Sequence, residues 1–196
     1  MNAKLVYGVG ITDIETKANG VSYKAYKLWV GILSRCYSKN RLKIHPSYVG
    51  CVVCDDWLTY STFKKDVESM IGYDFDGWQI DKDIINKGNK VYSKENCAFV
   101  PEYINKMLPS CRKKRGKYPV GVAKMKGREG KAFESKCNNG KGVRIHLGCY
   151  SDELSAFGAY KAFKENLIKL KAEELKGIVD DRIYNALKNY QVEITD

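Results

Sequence analysis

The chain has 196 residues, 44% of them hydrophobic, and a formal net charge of +11. That apolar content supports a packed core and argues against wholesale disorder, and the sequence has no apolar run of the ~18–20 residues that a spanning helix needs. The first twenty residues lack the charged-then-apolar layout of a signal peptide, so a cytoplasmic protein without a membrane partner is expected, its 7 cysteines thiols or metal ligands rather than disulfides.

The opening segment is poorly patterned. SYKAYKLWVGILSRCYSK, residues 22–39, then places Tyr23, Tyr26, Trp29, Val30, Leu33 and Tyr37 three and four apart, which predicts a helix. VGCVVCDDWLTYSTFKKDVESMI, residues 49–71, starts as a short apolar strand or knuckle. It continues as a helix with Phe63, Val67 and Met70 on one side. Cys51 and Cys54 form a C-x2-C pair with Cys36 and His45 just upstream. The four have the side-chain types of a tetrahedral Cys3His zinc site, but the spacing is irregular, and the favoured reading of the cysteines is buried thiols near Trp57.

Residues 73–78 are a turn-rich lead into IDKDIINKGNKVYSKENCAFVPEYIN, residues 80–105. WQID predicts a strand ending at Asp81, and CAFV a second strand after Glu95-Asn96. PEYINKML predicts a helix with Pro101 at its front and Asn105 one turn inside. The layout of Asp81, Glu95-Asn96, Phe99-Val100 and Asn105 resembles the bacteriophage HNH endonucleases over about 78–107. The resemblance implies a ββα-metal finger in which Asp81 and Asn105 hold Mg²⁺ (or Mn²⁺) against the scissile phosphate and Asn96 orients the base. The family's histidine falls on Lys82. Lysine is protonated at neutral pH and a poor base, so Lys82 is assigned to the phosphate and Asp83 becomes the alternative base or ligand. Two readings stand: a nuclease, and a finger that has lost its chemistry and only binds.

PSCRKKRGKYP, residues 109–119, has a proline on each side of a charge run and predicts a boundary. The expected domains are 1–108, with the finger at about 78–108, a basic linker at 109–117, a second domain at 118–176 and an extension at 177–196 that carries no readable motif. From Cys111 to Leu147 twelve Lys/Arg face two Glu, so this segment holds +10 and the rest is close to neutral. Such a block is the footprint of a polyanion binder. YPVGVAKMK, KAFESKC and VRIHLGCY predict three strands, with Asn139-Gly140 as a hairpin signal. A helix from about Ser151 to Leu175 follows, capped by Ser151 or Asp152 and ended by Gly177. Its expected apolar stripe is Ala156, Tyr160, Phe163, Leu167 and Leu170.

Strand alternation places Phe133, Ser135 and Cys137 on one face and Glu134 and Lys136 on the other. Ile145 and Leu147 should pack on the helix, so Arg144 and His146 point outward. Gly121-Val122, KAFESKC, RIHLGCYSD and AFGAYKAF resemble the APETALA-type DNA-binding domain of plant ethylene-response factors over about 118–165. The resemblance implies duplex contact by the outer sheet face, through Glu134, Lys136, Arg144 and His146. The family's first-strand arginines are replaced by Val120 and Ala123. Lys124 and Lys126 are then expected on phosphates, as are Arg112, Lys113, Lys114 and Arg115 of the linker. The pairing of finger and sheet resembles homing-type phage HNH proteins. The reading is therefore an α+β chain: an HNH-like ββα finger within a helical N-terminal part, then a three-stranded antiparallel sheet packed on one long helix. The expected partner is double-stranded DNA in the cytoplasm of a phage-infected cell. The expected activity is metal-dependent cleavage or nicking, and the alternative is a non-catalytic regulatory or anti-defence binder.

Overall fold

A computed structural model describes residues 5–109 and 117–196 of this mixed α and β chain. The backbone divides into two units, Met1–Val100 and Pro101–Asp196.

In the first unit, strands β1 (Lys17–Ala18) and β2 (Val21–Ser22) form a minimal ladder before α1 (Lys24–Tyr37). Helix α1 buries Ala25, Trp29, Ile32, Leu33 and Cys36. The buried line thus runs through Ala25 and Ile32, while Tyr26, Val30 and Tyr37 are only partly covered. After α2 (Lys39–Ile44) comes the short strand β3 (Val52–Val53), then a 3-10 turn (Asp55–Leu58) and α3 (Tyr60–Glu68). Trp29, Trp57, Tyr60 and Phe63 are fully buried and form the centre of this unit. The two indoles retain polar partners: Trp29 Nε1 donates to the Trp57 carbonyl at 2.7 Å, and Trp57 Nε1 to Asp66 Oδ2 at 2.9 Å. That satisfies the demand that buried N–H groups be bonded. The poorly patterned N-terminal segment has a task in this arrangement. Ile11 bridges to Thr59, and Asp13 Oδ1 accepts from Ser61 N at 3.0 Å, capping α3 from a distant part of the chain.

Strand β4 (Trp78–Asp81) pairs with β6 (Ala98–Pro101), and β5 (Val91–Tyr92) pairs parallel with β3. Both strands of the expected finger therefore form where WQID and CAFV predict them. The helix α4 (Glu102–Met107) begins the second unit.

In the second unit, β7 (Val122–Lys124), β8 (Phe133–Asn138) and β9 (Arg144–Tyr150) make an antiparallel sheet in the order β7-β8-β9. The β8–β9 connection is a five-residue loop. Asn138 Oδ1 accepts from Gly140 N and Asn139 Oδ1 from Lys141 N, both at 2.8 Å. Helix α5 (Glu153–Glu174) lies on the sheet, with Asp152 Oδ1 accepting from Ser155 N at 2.8 Å as its cap. Gly121 makes close packing feasible: its φ is +78°, and a Cβ there would fall 2.0 Å from the Tyr160 ring.

The apolar stripe of α5 differs from expectation. The buried residues are Ala156, Phe157, Tyr160, Lys164, Ile168 and Ala172, whereas Leu170 is 55% exposed. Steps of four put the stem of Lys164 in the covered line, while Ala156 and Tyr160 are buried as expected and Phe163 packs partly buried against the same core. The closing segment carries α6 (Asp181–Lys188), which packs on α5 through Ile183, Tyr184 and Leu187. Val192 reaches the core beneath the sheet, beside Cys137, Phe157 and Tyr160. The extension is thus a built part of the second unit.

Candidate functional site

The residues of the expected finger fall on both sides of the unit boundary: Asp81, Lys82, Asp83 and Asn96 belong to the first unit, Asn105 to the second. Asp81 closes β4. Its Oδ1 accepts from Asp83 N at 2.7 Å and Ile84 N at 2.8 Å, a turn-forming role for a short carboxylate. Burial pushes this carboxyl above the usual range, and the two amide donors oppose the shift.

Lys82 is not at the surface where a phosphate could meet it. Its side chain is 6% exposed. The ammonium donates to Asp83 Oδ1 at 2.6 Å and to the Asn89 carbonyl at 2.7 Å, and lies 5.7 Å from the Tyr92 ring. Asn89 completes the tie, donating to the Lys82 and Val91 carbonyls and accepting from Val91 N. The loop between β4 and β5 is therefore closed by a cation that belongs to the chain. Asp83, half exposed at 51%, is its counter-charge. Asn96 accepts from Asn86 Nδ2 at 3.1 Å, which fixes its amide against the same loop. Asn105 is half-buried on α4. Asn86 and Asn89 were not singled out by sequence; their only signal is the turn-forming run NKGNK.

Among the described residues, no group of three or more His, Cys, Asp or Glu side chains is placed to hold a metal ion. Cys36 and Cys51 are buried in the aromatic core and Cys54 is half-buried, while the His45 ring sits exposed against Tyr48. Burial pushes the Cys36 thiol up to about 12.

On the second unit, the face of the sheet away from α5 carries the predicted charged residues. Ser135 and Cys137 are buried beneath β8, and Leu147 joins the core. Arg144 and His146 are exposed and Lys136 is half-covered, paired across the ladder with His146. Glu134 stands among them, bridging Lys136 Nζ at 2.8 Å and His146 Nδ1 at 3.1 Å. The bond from Lys136 holds the Glu134 carboxyl below its usual range. Ala123 lies opposite Glu134, so β7 adds only a methyl group to this face. Lys124 is on the other side of the strand, 5.9 Å from the Phe133 ring, and Lys126 is exposed in the following turn. Arg112, Lys113, Lys114 and Arg115 lie outside the described residues.

No protein family, curated protein or solved structure matches this chain significantly. No described helix is long and apolar enough to cross a membrane.

Proposed function

We propose that this chain is a double-stranded-DNA-binding protein of the phage HNH-endonuclease type, gripping the duplex through the outer face of the β7–β9 sheet while its finger serves as a scaffold. The observation that carries this is the concentration of charge. Of the net +11, +10 lies between Cys111 and Leu147, and the sheet within that segment turns Arg144, Lys136 and His146 away from its covered side. A small antiparallel sheet fits the major groove, where Arg and Lys reach guanine edges and flanking lysines hold phosphates. Arg144→Ala combined with Lys136→Ala should weaken duplex affinity at least about tenfold in a gel shift, in line with the ~1–3 kcal/mol expected of a good base contact. Unchanged affinity would remove the sheet face from the reading. Stronger competition by duplex RNA than by duplex DNA would redirect it to RNA.

The second reading is metal-dependent phosphodiester cleavage, and Asp81 favours it. An asparagine would cap the same two amides without placing a charge where burial opposes it. The metal fits poorly, however. Asp81 Oδ1 is already committed to two amides, and the Asp83 carboxylate beside it is paired with the buried ammonium of Lys82. Supercoiled plasmid with Mg²⁺ or Mn²⁺ separates the readings. Intact plasmid with a clear gel shift is expected. Nicking that disappears in both Asp81→Ala and Asn105→Ala would establish a nuclease instead.

A further inference from the structure

Strand β9 carries an irregularity that brings together three side chains with a chemistry of their own. Lys136 pairs with His146, yet the next residue back on β8, Ser135, pairs with Gly148. One extra residue, Leu147, is thus inserted into β9. In a regular strand, His146 and Cys149, three apart, would point to opposite faces. The bulge shifts the phase by one and puts both on the outer face, where Cys149 stands opposite Glu134. Gly148 makes this turn at φ +124°, and the Tyr150 hydroxyl donates to the Leu147 carbonyl at 2.9 Å.

The result is a line of nucleophile, base and acid. Cys149 Sγ lies 3.9 Å from His146 Nε2, and His146 Nδ1 lies 3.1 Å from Glu134 Oε1. A neutral imidazole that donates Nδ1–H to Glu134 turns the Nε2 lone pair to the thiol. Arg128 Nη1 lies 3.6 Å from the same sulfur, a cation placed to stabilise a thiolate. The described competitors are poorly placed. Cys36, Cys51, Cys97 and Cys137 are buried, and burial pushes Cys97 up to about 12 and raises the half-buried Cys54.

We propose that Cys149 is a thiol-modification site for small disulfides, with His146 as its base and Glu134 positioning that base. His146 Nε2 takes the thiol proton. The thiolate attacks one sulfur of the disulfide R–S–S–R, whose S–S bond breaks as the Cys149–S–S–R bond forms. The departing RS⁻ recovers the proton from His146 and leaves as RSH. Cys149 is oxidised and half of the reagent is reduced. The step needs only the disulfide as co-reactant. Where the duplex-binding reading holds, the adduct occupies the binding face itself.

The test treats the full chain with an aryl disulfide, 5,5′-dithiobis(2-nitrobenzoate), and with glutathione disulfide. Labelled cysteines are identified by peptide mapping in the wild type, Cys149→Ser and Cys111→Ser. The fast phase should map to Cys149, survive Cys111→Ser and vanish in Cys149→Ser. His146→Gln should slow it at least about tenfold at neutral pH, the scale of a lost general base. Glu134→Gln should slow it less, and Glu134→Asp should recover most of that loss. A fast phase on another cysteine, or one indifferent to His146→Gln, would overturn the proposal. Gel shifts of labelled and unlabelled protein form a separate arm. Glutathione-labelled protein should bind duplex more weakly. Absence of binding before labelling would count against the DNA reading alone, since the labelling kinetics do not depend on it.

Discussion

Replacing Lys82 by methionine keeps most of the buried stem and removes only the ammonium. What is lost is a tie between Asp83 and the Asn89 carbonyl, which closes the loop from β4 to β5. Asp83 is half exposed, so water takes over its solvation. The Asn89 carbonyl loses a donor in a partly buried place. Lys82→Met should therefore lower stability by about 1–3 kcal/mol, the range for a buried polar group left without its partner. Urea unfolding would show a lower midpoint at unchanged slope; an unchanged midpoint would mean that the tie carries no stability. Asp81 gives the opposite sign. Burial raises its pKa in the folded chain, so the folded state binds the proton more tightly than the unfolded one. Its contribution to stability is full below the ordinary value of 3.8 and is lost as pH rises through the raised folded value. At neutral pH the charge is a cost, and Asp81→Asn keeps an oxygen for both amides. The variant should melt higher than wild type at neutral pH, and the two should converge below 3.8. A variant that melts lower at neutral pH would mean that the carboxylate is stabilised by something other than its two caps.

The elements were the legible part of this chain, and their reasons are local. Helix α5 was readable because its caps and apolar spacing lie within one segment, and the strands β7, β8 and β9 because turn residues separate alternating runs. Alternation alone also put Arg144, His146 and Lys136 on the uncovered face. What was not legible depends on partners distant in sequence or on phase. The cap of α3 comes from Asp13, 48 positions before Ser61. The buried line of α5 passes through Lys164 because a lysine stem packs like a hydrocarbon, which a reading by residue type passes over. The bulge in β9 joins His146 to Cys149, although period-two counting separates them. Lys82 was read by its position in the finger, where a histidine was expected. Its partners are the adjacent Asp83 and the Asn89 carbonyl, in a loop whose closure only the folded chain displays. The local pattern located strands β4 and β6 and left the chemistry around them open, because chemistry depends on which atoms remain accessible.

At the scale of the whole molecule, the proposed duplex binding ties the salt response to the basic segment, and Glu134 to how much of that charge is usable. Each phosphate neutralised by Lys or Arg contributes about −0.9 to the slope of log affinity against log salt. Lys136 and His146 are both held by Glu134, at 2.8 and 3.1 Å, so part of the positive field of the face is cancelled within the chain. Arg144 is exposed at the end of the ladder, opposite Asn138. Arg144→Ala should therefore flatten the slope by close to one contact, and Lys136→Ala by less. Glu134→Gln should act in the reverse sense. Removing the carboxylate releases Lys136 and lowers the repulsion of phosphates, so affinity for arbitrary duplex should rise several-fold at low salt, with a steeper slope. Titrations of one labelled duplex over a series of salt concentrations measure both quantities for all four proteins. Parallel lines for wild type and Glu134→Gln would show that Lys136 does not meet phosphate. The grip would then be assigned to Arg144 and to the charge run that precedes the sheet.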